Sequence, residues 1–285
     1  MNSLEFKKNE FKKFCSIIGF KPIVIEGILA NIDIHYREWI EKKPDKTAGG
    51  FKKYKDGTLK TRMIRPSLDT LKLIQSNIKD RILTPIELPN NIHGGVKKRS
   101  NISNAKPHQG NKFVFTTDLQ AFYPNITNRD VYETFLELGF SVHFSHWVTK
   151  LTTWKNELPQ GTPTSTHIAN LVFLKTDFEL ISFCTKHNLT YTRYIDDLTF
   201  SSQQDFKHLL NDILEIVKGA GFKLSYRKTK YEGDQSITGI KVYLNKIDAP
   251  DRIIEKSKFE VADKVDFKPF TNYLNNIRST NITRK

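Results

Sequence analysis

The sequence has little cysteine and no long run of apolar residues. Its 285 residues include only two cysteines, Cys15 and Cys184, which lie far apart in the chain. Such a pair supports neither a disulfide framework nor a zinc site. No apolar stretch approaches the ~20 residues that span a bilayer, and charged residues interrupt the N-terminal segment where a secretory signal would be apolar. We therefore expect a soluble protein of the reducing cytoplasm with no membrane partner.

Basic residues, by contrast, are abundant. Lys and Arg number 45 against 31 Asp and Glu, which gives a formal net charge of +14, and they are spread along the whole chain. A surface of this kind favours a polyanionic partner, because each phosphate that is neutralised releases counterions. A basic protein without such a ligand is the alternative. The 38% hydrophobic content, with 20 Phe and 10 Tyr, indicates a folded core.

Hydrophobic spacing and turn residues predict the order of helices and strands. The first ~50 residues read as helical, and Asp56-Gly57 between two basic, β-leaning arms predicts a hairpin. From residue 112 the patterns predict a β-α-β-β-α-β order with one extra helix, and hence helices on one face of an antiparallel sheet. The predicted elements are a helix at 66–83, a strand at 112–118, a helix at 128–138 capped by Asn128, a long helix at 164–186 with Phe178 facing inward, strands flanking Asp196-Asp197, a helix at 205–218, strands at 222–226 and 237–243, and a helical tail from about 248.

Three aspartates stand at points where predicted strands end. Asp196 and Asp197, in "YIDD", occupy the tight turn between two strands, and Asp118 ends the strand "KFVFTTD". In a β-α-β-β-α-β sheet that strand lies beside the hairpin, so the three carboxylates would converge at one sheet edge. They would repel one another without a cation, and carboxylate oxygens suit Mg²⁺, which acts in pairs in phosphoryl transfer. Taken alone, an Asp-Asp pair also fits an ordinary surface turn.

An ordered series of motifs resembles the palm motifs of the reverse transcriptases. The series consists of "TTDLQAFYPNI", "LPQGTPTS" with Asn170 downstream, "YIDD" and "GFKLSYRKTK". Within that family the chain looks most like the bacterial retron enzymes, because "NAKPH" matches their Asn-Ala-x-x-His signature and "ITG" stands where they carry Val-Thr-Gly. The resemblance implies an α+β right-hand polymerase. Its parts would be N-terminal helices and fingers at 1–110, a palm with an antiparallel sheet backed by helices at 111–245, and a short helical thumb at 246–285.

The resemblance also implies the residues that carry the chemistry. Asp118, Asp196 and Asp197 would bind two Mg²⁺ ions. The carbonyl of Leu119 would assist them, and Lys228 would protonate the leaving pyrophosphate.

Five further residues would form the nucleotide site by the same resemblance. Tyr123 would lie under the sugar and exclude a ribose 2′-hydroxyl, and Gln160 and Gly161 would line the incoming nucleotide and the template base. Lys60 and Arg62 would hold the triphosphate. From the residues alone, Tyr123 also fits a core aromatic, and Lys60 and Arg62 also fit a solvated strand face. Gln160-Gly161 also fits a plain turn.

Asn104 and His108, in "NAKPH", would contact structured RNA by the same resemblance. His108 also fits an ordinary loop histidine. Arg227 and Lys230 flank Lys228 in "YRKTK" and stay open as alternatives to it.

The implied function is that of an RNA-directed DNA polymerase of a retron. Such an enzyme copies a partner non-coding RNA into branched, RNA-linked single-stranded DNA, in defence against phage. Its partners would be the structured RNA, the RNA–DNA hybrid, dNTPs and an effector or toxin protein. Two alternatives stay open: a non-retron defence polymerase that makes DNA without a dedicated RNA template, and an inactive palm that serves as an RNA-binding scaffold.

Overall fold

The computed structural model describes residues 3–45, 49–233, 235–262 and 266–281. Its helices are α1 Ser3–Ile18, α2 Pro22–Ala30, α3 Asp69–Ile78, α4 Asn101–Ala105, α5 Phe122–Asn125, α6 Asn128–Glu137, α7 Val142–Thr152, α8 Ser165–Val172, α9 Leu174–Lys186, α10 Leu210–Gly219, α11 Asp251–Ala262 and α12 Pro269–Ser279. Its strands are β1 Trp39–Lys42, β2 Thr61–Ile64, β3 Phe113–Asp118, β4 Thr190–Tyr194, β5 Asp197–Ser202, β6 Lys230–Glu232, β7 Gln235–Ile237, β8 Ile240–Val242 and β9 Ile247–Asp248.

These elements group into two compact units, each built from two stretches of chain. The first unit contains the described residues of Met1–Glu87 and Tyr123–Val172, and the second those of Leu88–Phe122 and Phe173–Lys285. The division into fingers, palm and thumb stays a prediction, and residues 263–265 and 282–285 of the predicted thumb lie outside the described residues. None of the helices in the described part of the chain combines the length and the apolar character that crossing a bilayer requires.

The first unit contains a two-stranded sheet that corrects the helical prediction for the first ~50 residues. β1 pairs antiparallel with β2, and this register sets Glu41 opposite Arg62. Opposite charges at facing positions stabilise such a pair. The predicted turn at Asp56-Gly57 does form, because the Tyr54 amide donates to the Thr58 carbonyl at 2.8 Å. The arms beside the turn pair through an antiparallel bridge between Lys53 and Leu59, as predicted. Farther from the turn, the second arm continues as β2 and pairs with β1.

Helices α1, α3 and α7 form the apolar core of the first unit. α3 begins at Asp69, later than predicted, and a single π-helical turn at Lys79–Leu83 extends it to the predicted end. The helices bury large side chains at helical spacing, among them Phe14, Ile18, Leu71, Ile74, Ile78 and Trp147.

The helix caps and helix breaks differ from the prediction at two places. Thr127, not Asn128, caps α6, because its hydroxyl accepts from the Asp130 amide while the Asp130 carboxylate accepts from the Thr127 amide. The long helix predicted at 164–186 is two helices, α8 and α9, which end and begin on either side of Phe173. Phe178 is 55% exposed because α9 buries a different face, so its inward assignment was wrong.

The second unit contains the four-stranded antiparallel sheet that the sequence pattern predicts. The strand order is β4-β5-β3-β6, and α9 packs against β4 and α10. β3 pairs with β5 on one side and with β6, at Lys230–Glu232, on the other, and no strand was predicted at 230–232. Of residues 222–226 only Leu224 pairs, in a single antiparallel bridge with Leu119 just after β3, because the chain then turns into a 3₁₀ helix at Tyr226–Lys228.

A second small sheet, with order β7-β8-β9, replaces the single strand predicted at 237–243. The chain reverses at Thr238-Gly239, where both residues have positive φ, 46° and 83°. The strands bury Ile237, Ile240, Val242 and Ile247 against residues of α4 and α12. The predicted helical tail is present as α11 and α12, which pack on each other.

Candidate metal centre and active site

Strand pairing in the second unit brings three carboxylates together. Asp118 is the last residue of β3 and Asp197 the first of β5, and the antiparallel register makes them direct partners. Asp196 lies in the turn before β5. One carboxylate oxygen from each of the three residues lies within 4.8 Å of the others. The predicted convergence at one sheet edge is therefore confirmed, whereas metal binding by these residues stays a prediction.

The turn that carries Asp196 has an unusual backbone conformation. Ile195 has a φ of +60°, which is a strained conformation for a β-branched residue. Strained backbone conformations of this kind are found most often at functional sites. The Leu119 amide donates to the Asp196 carbonyl at 2.9 Å and so ties the turn to the chain that leaves β3. This hydrogen bond thus connects the strained turn directly to the end of β3.

The surroundings of Asp197 disfavour its ionised form. Burial, and then the negative charges of Asp196 and Asp118, raise the pKa of Asp197 from 3.8 to about 7. Burial disfavours the ionised carboxylate most, and the like charges at short range disfavour it further. A bound cation would remove this penalty, and carboxylate oxygens are the donors that hard divalent cations prefer. The site therefore has the chemistry of a divalent-metal centre.

Lys228 lies at this site, next to Asp118. Its Nζ donates to Oδ2 of Asp118 at 2.5 Å. Burial alone would lower the pKa of Lys228. The hydrogen bond to Asp118 and the negative charge of Asp118, and to a smaller extent the charges of Asp197 and Asp196, raise this pKa instead. Of its two alternatives, Lys230 lies in β6, where its Nζ is 3.9 Å from Glu232. Lys228 is thus the motif lysine whose contact with a candidate metal ligand is observed, and its catalytic role stays a prediction.

Gln160 and Gly161 lie within the first unit, beside the end of β2. The carbonyl of Gln160 accepts from the Arg65 amide at 2.7 Å. Gly161 has a φ of +112°, and a Cβ there would lie 3.4 Å from Cγ2 of Ile64. The positive φ favours glycine at this position. Nucleotide binding by this turn stays a prediction.

Arg62 lies on β2 of the small sheet of the first unit, and Lys60 directly precedes that strand. Arg62 forms a salt bridge with Glu41, the residue opposite it in the sheet. The Nζ of Lys60 lies 5.2 Å from the ring centre of Tyr54. Both cations are engaged with local partners, and their contact with a triphosphate stays a prediction.

Tyr123 is half-buried, and its hydroxyl lies 3.0 Å from Oγ1 of Thr166, within the first unit. This hydrogen bond fixes the orientation of the ring. The role of Tyr123 as the sugar gate stays a prediction.

Comparison with known proteins identifies the family to which the chain belongs. The family model described as reverse transcriptase (RNA-dependent DNA polymerase) matches residues 42–242. The chain belongs to the reverse transcriptase family. This match confirms the predicted α+β fold class of a right-hand polymerase.

Curated relatives of this reverse transcriptase include several retron enzymes, which confirms the retron-type resemblance. It is 34% identical to the retron Ec86 reverse transcriptase of Escherichia coli over 62% of this chain and 57% of that protein. It is 33% identical to the retron Se72 reverse transcriptase of Salmonella heidelberg over 68% of this chain and 52% of that protein. The chain thus spans about half the length of the curated relatives it matches. A solved structure of telomerase from Candida albicans with an RNA fragment overlaps at a TM-score of 0.47 and 10% identity, over 84% of this chain and 55% of that one.

The two residues of the retron-like signature of this reverse transcriptase lie in the protein interior. Asn104 and His108 are both 0% exposed. The ring nitrogens of His108 lie 2.6 Å from Oγ of Ser201 on β5 and 2.7 Å from Oγ1 of Thr192 on β4. Burial, and then the nearby His93, lower the pKa of His108 to about 3, so the ring is neutral. The side chain of His108 thus contacts β4 and β5, whereas Nδ2 of Asn104 donates to Oγ1 of Thr238 at 3.3 Å. Contact of either residue with RNA stays a prediction.

A buried ion pair lies beside the turn formed by Ile195 and Asp196, which we call the active-site turn. The sequence analysis missed this ion pair. Arg193 on β4 and Asp177 on α9 are both 0% exposed, and Nη2 of Arg193 donates to Oδ2 of Asp177 at 2.6 Å. The Tyr191 hydroxyl donates to Oδ1 of Asp177 at 2.7 Å. The available signal was a charged residue in "YTRYIDD" at a strand position between two β-forming residues, Thr192 and Tyr194.

Proposed function

We propose that this chain is an RNA-directed DNA polymerase that extends a primer by metal-assisted nucleotidyl transfer. The observation that carries the proposal is the meeting of Asp118, Asp196 and Asp197 at the edge of the sheet in the second unit. Family membership supports the reaction class, since the family model describes RNA-dependent DNA polymerases.

The residues present fit a pair of divalent ions. The donors are all oxygens, their charges crowd one another, and Asp197 resists ionisation until a cation is near. In the proposal Asp118, Asp196 and Asp197 hold two Mg²⁺ ions, with assistance from the Leu119 carbonyl. When bound, such ions activate the attacking hydroxyl and stabilise the charge of the leaving pyrophosphate.

Lys228 supplies a proton in this proposal. Its ammonium group is held beside Asp118 and keeps its proton because its pKa is raised. A protonated lysine at that place is suited to donate to the leaving pyrophosphate.

The nucleotide site is proposed from the first unit. Tyr123 would select the deoxyribose sugar, and Gln160 and Gly161 would line the incoming nucleotide and template base. Lys60 and Arg62 would hold the triphosphate after exchanging their present partners for phosphate oxygens. The rigid, positive-φ backbone at Gly161 and the hydrogen-bonded ring of Tyr123 support positioning roles for these residues.

The template and product are proposed from the retron resemblance. We propose that the chain works in the cytoplasm with a structured non-coding RNA. Asn104 and His108 would form part of the protein element that recognises this RNA. It would copy that RNA into branched, RNA-linked single-stranded DNA for defence against phage, together with an effector protein. The net charge of +14 supports a polyanionic partner. Sequencing of the nucleic acid that co-purifies with the protein tests this, because a retron enzyme carries a covalent RNA–DNA hybrid.

The polymerase assignment is tested by replacing both turn aspartates. The Asp196→Asn, Asp197→Asn variant should lose primer extension on an RNA template with dNTPs and Mg²⁺, because two of the three metal-binding charges are gone. Its affinity for RNA should stay close to that of the unaltered protein. Asp212→Asn, at an exposed position of α10 in the same unit, is the matched control and should extend normally. Undiminished extension by the double variant would refute the assignment.

A further inference from the structure

The buried guanidinium of Arg193 links helix α9 to the active-site turn. Its Nε and Nη2 donate to the two oxygens of Asp177, at 2.9 and 2.6 Å. Its Nη1 donates to the carbonyl of Ile195 at 2.9 Å. One face of the group lies 4.8 Å from the ring centre of Phe173. The planar fork of an arginine makes all of these contacts at once, and the ammonium of a lysine cannot.

The carbonyl that Arg193 holds belongs to the strained residue of the turn. Ile195 has a φ of +60°, and its carbonyl forms the peptide bond to Asp196. A conformation of this kind persists only where the surroundings impose it. Arg193 fixes the orientation of the peptide plane that leads directly into the two candidate metal ligands, Asp196 and Asp197.

A second element restrains the same turn. The backbone of the loop before α4 runs along β4, where the His93 amide donates to the Arg193 carbonyl at 2.8 Å. At the next residue, Gly94, a Cβ would lie 2.5 Å from the Ile195 amide nitrogen. The loop therefore leaves no room for the turn to relax toward Gly94.

We infer that Asp177 and Arg193 are positioning residues, which hold the Ile195 peptide so that Asp196 and Asp197 present their carboxylates together with Asp118. Asp177 fixes the guanidinium, and the guanidinium fixes the turn. The inference rests on the proposed function, because it concerns the metal ligands of that site.

A purely structural ion pair is the competing explanation, and an apolar replacement distinguishes the two. Replacing a buried ion pair by apolar residues of similar size often preserves stability, whereas removing one partner leaves an uncompensated charge. In the triple variant Asp177→Leu, Arg193→Met, Tyr191→Phe the charges and the dependent hydroxyl are removed together. Such a protein should fold and yet lack the bond to the Ile195 carbonyl.

The first measurement is metal binding, which does not depend on activity. Mn²⁺ titrated into the full chain and followed by electron paramagnetic resonance should bind the triple variant about tenfold more weakly, as expected when a supporting partner of metal ligands is lost. Single-turnover primer extension at saturating dNTP should be about a hundredfold slower, because displaced ligands misalign the reacting groups. Tyr191→Phe alone keeps the bonds from Arg193 to Asp177 and to the Ile195 carbonyl and is the matched control, with Mn²⁺ affinity and rate unchanged.

Arg193→Lys decides the matter if the triple variant does not fold. It keeps the charge opposite Asp177 and loses the fork, so Mn²⁺ affinity and rate should both fall while RNA affinity stays unchanged. A folded triple variant, or a folded Arg193→Lys protein, with unaltered Mn²⁺ affinity and extension rate would overturn the inference. Absence of extension by the unaltered chain would instead overturn the proposed function, and the Mn²⁺ comparison would still judge the inference.

Discussion

The ammonium of Lys228 lies 2.5 Å from Oδ2 of Asp118, so the cation of the site and one of its three carboxylates form a direct pair. This pair places a proton donor at the same sheet edge as the candidate metal ligands. It also offsets part of the repulsion among the three carboxylates, because the charge of Lys228 lowers the pKa of Asp197 against the other influences.

Lys228→Met tests the proton-donor role. The variant should slow single-turnover extension by about a hundredfold, which is the lower range for loss of a general acid. Lys230→Met is the matched control, because Lys230 lies two residues away on β6 and pairs with Glu232. It should extend at nearly the normal rate. Equal rates for the two variants would contradict a special role for Lys228.

The raised pKa of Asp197 predicts that metal affinity depends on pH. The unfolded carboxyl has a pKa of 3.8 and the folded one about 7, so between these values the folded protein binds more protons and the free energy of unfolding falls as pH rises. A divalent ion has to displace that proton. The increase in melting temperature that Mg²⁺ produces should therefore be larger at pH 8 than at pH 6. In Asp197→Asn the pH dependence of this increase should be reduced, and an undiminished dependence would contradict the assignment.

Gly94 is packed so closely against Ile195 that we expect the extension rate to be sensitive to any side chain added at this position. In Gly94→Ala the new methyl group would meet the Ile195 amide nitrogen and displace the active-site turn, and a displacement near 1 Å costs a rate factor of about a hundred. Gly219→Ala is the control, since a Cβ there meets nothing within 4 Å. Extension rates and melting temperatures of both variants provide the measurement. Normal extension by a folded Gly94→Ala protein would show that the turn tolerates displacement.

The three carboxylates could be predicted from the sequence because their placement depends on local rules. Asp196 and Asp197 follow a β-rich stretch at a turn, and Asp118 ends a strand that the β-α-β-β-α-β order sets beside that turn. Strand period and turn chemistry suffice for this, and the motif series adds the order.

The remainder of the site depends on tertiary contacts that no local pattern encodes. Asp177 and Arg193 face each other from a helix and a strand, and neither has a signature of its own. The stretch 222–226 has β-forming residues, yet it forms only one bridge, between Leu224 and Leu119, before the chain turns into the 3₁₀ helix at Tyr226–Lys228. Local propensity is overridden by such contacts.

Tyr123 provides a test of sugar selection. Tyr123→Ala removes the ring that is proposed to exclude a ribose 2′-hydroxyl, so the ratio of ribonucleotide to deoxyribonucleotide incorporation should rise about tenfold or more, in line with the loss of steric exclusion by one side chain. Tyr123→Phe is the control, because it keeps the ring and removes the hydroxyl that contacts Thr166. It should retain selectivity, and unchanged selectivity in Tyr123→Ala would remove the gate assignment.

His108 predicts how the fold responds to acid. Its pKa falls from the ordinary 6.5 to about 3 in the folded state, so between these values the unfolded chain binds one more proton. The stability that the neutral ring contributes is complete above pH 6.5 and is lost as pH falls toward 3. His108→Gln should therefore reduce the slope of unfolding free energy against pH by up to about 1.4 kcal/mol per pH unit in this window. His208→Gln, at an exposed position of the same unit, should leave the slope nearly unchanged. Denaturant unfolding at pH 4 to 7 measures it, and parallel curves for His108→Gln and the unaltered protein would show that His108 is not buried as a neutral ring.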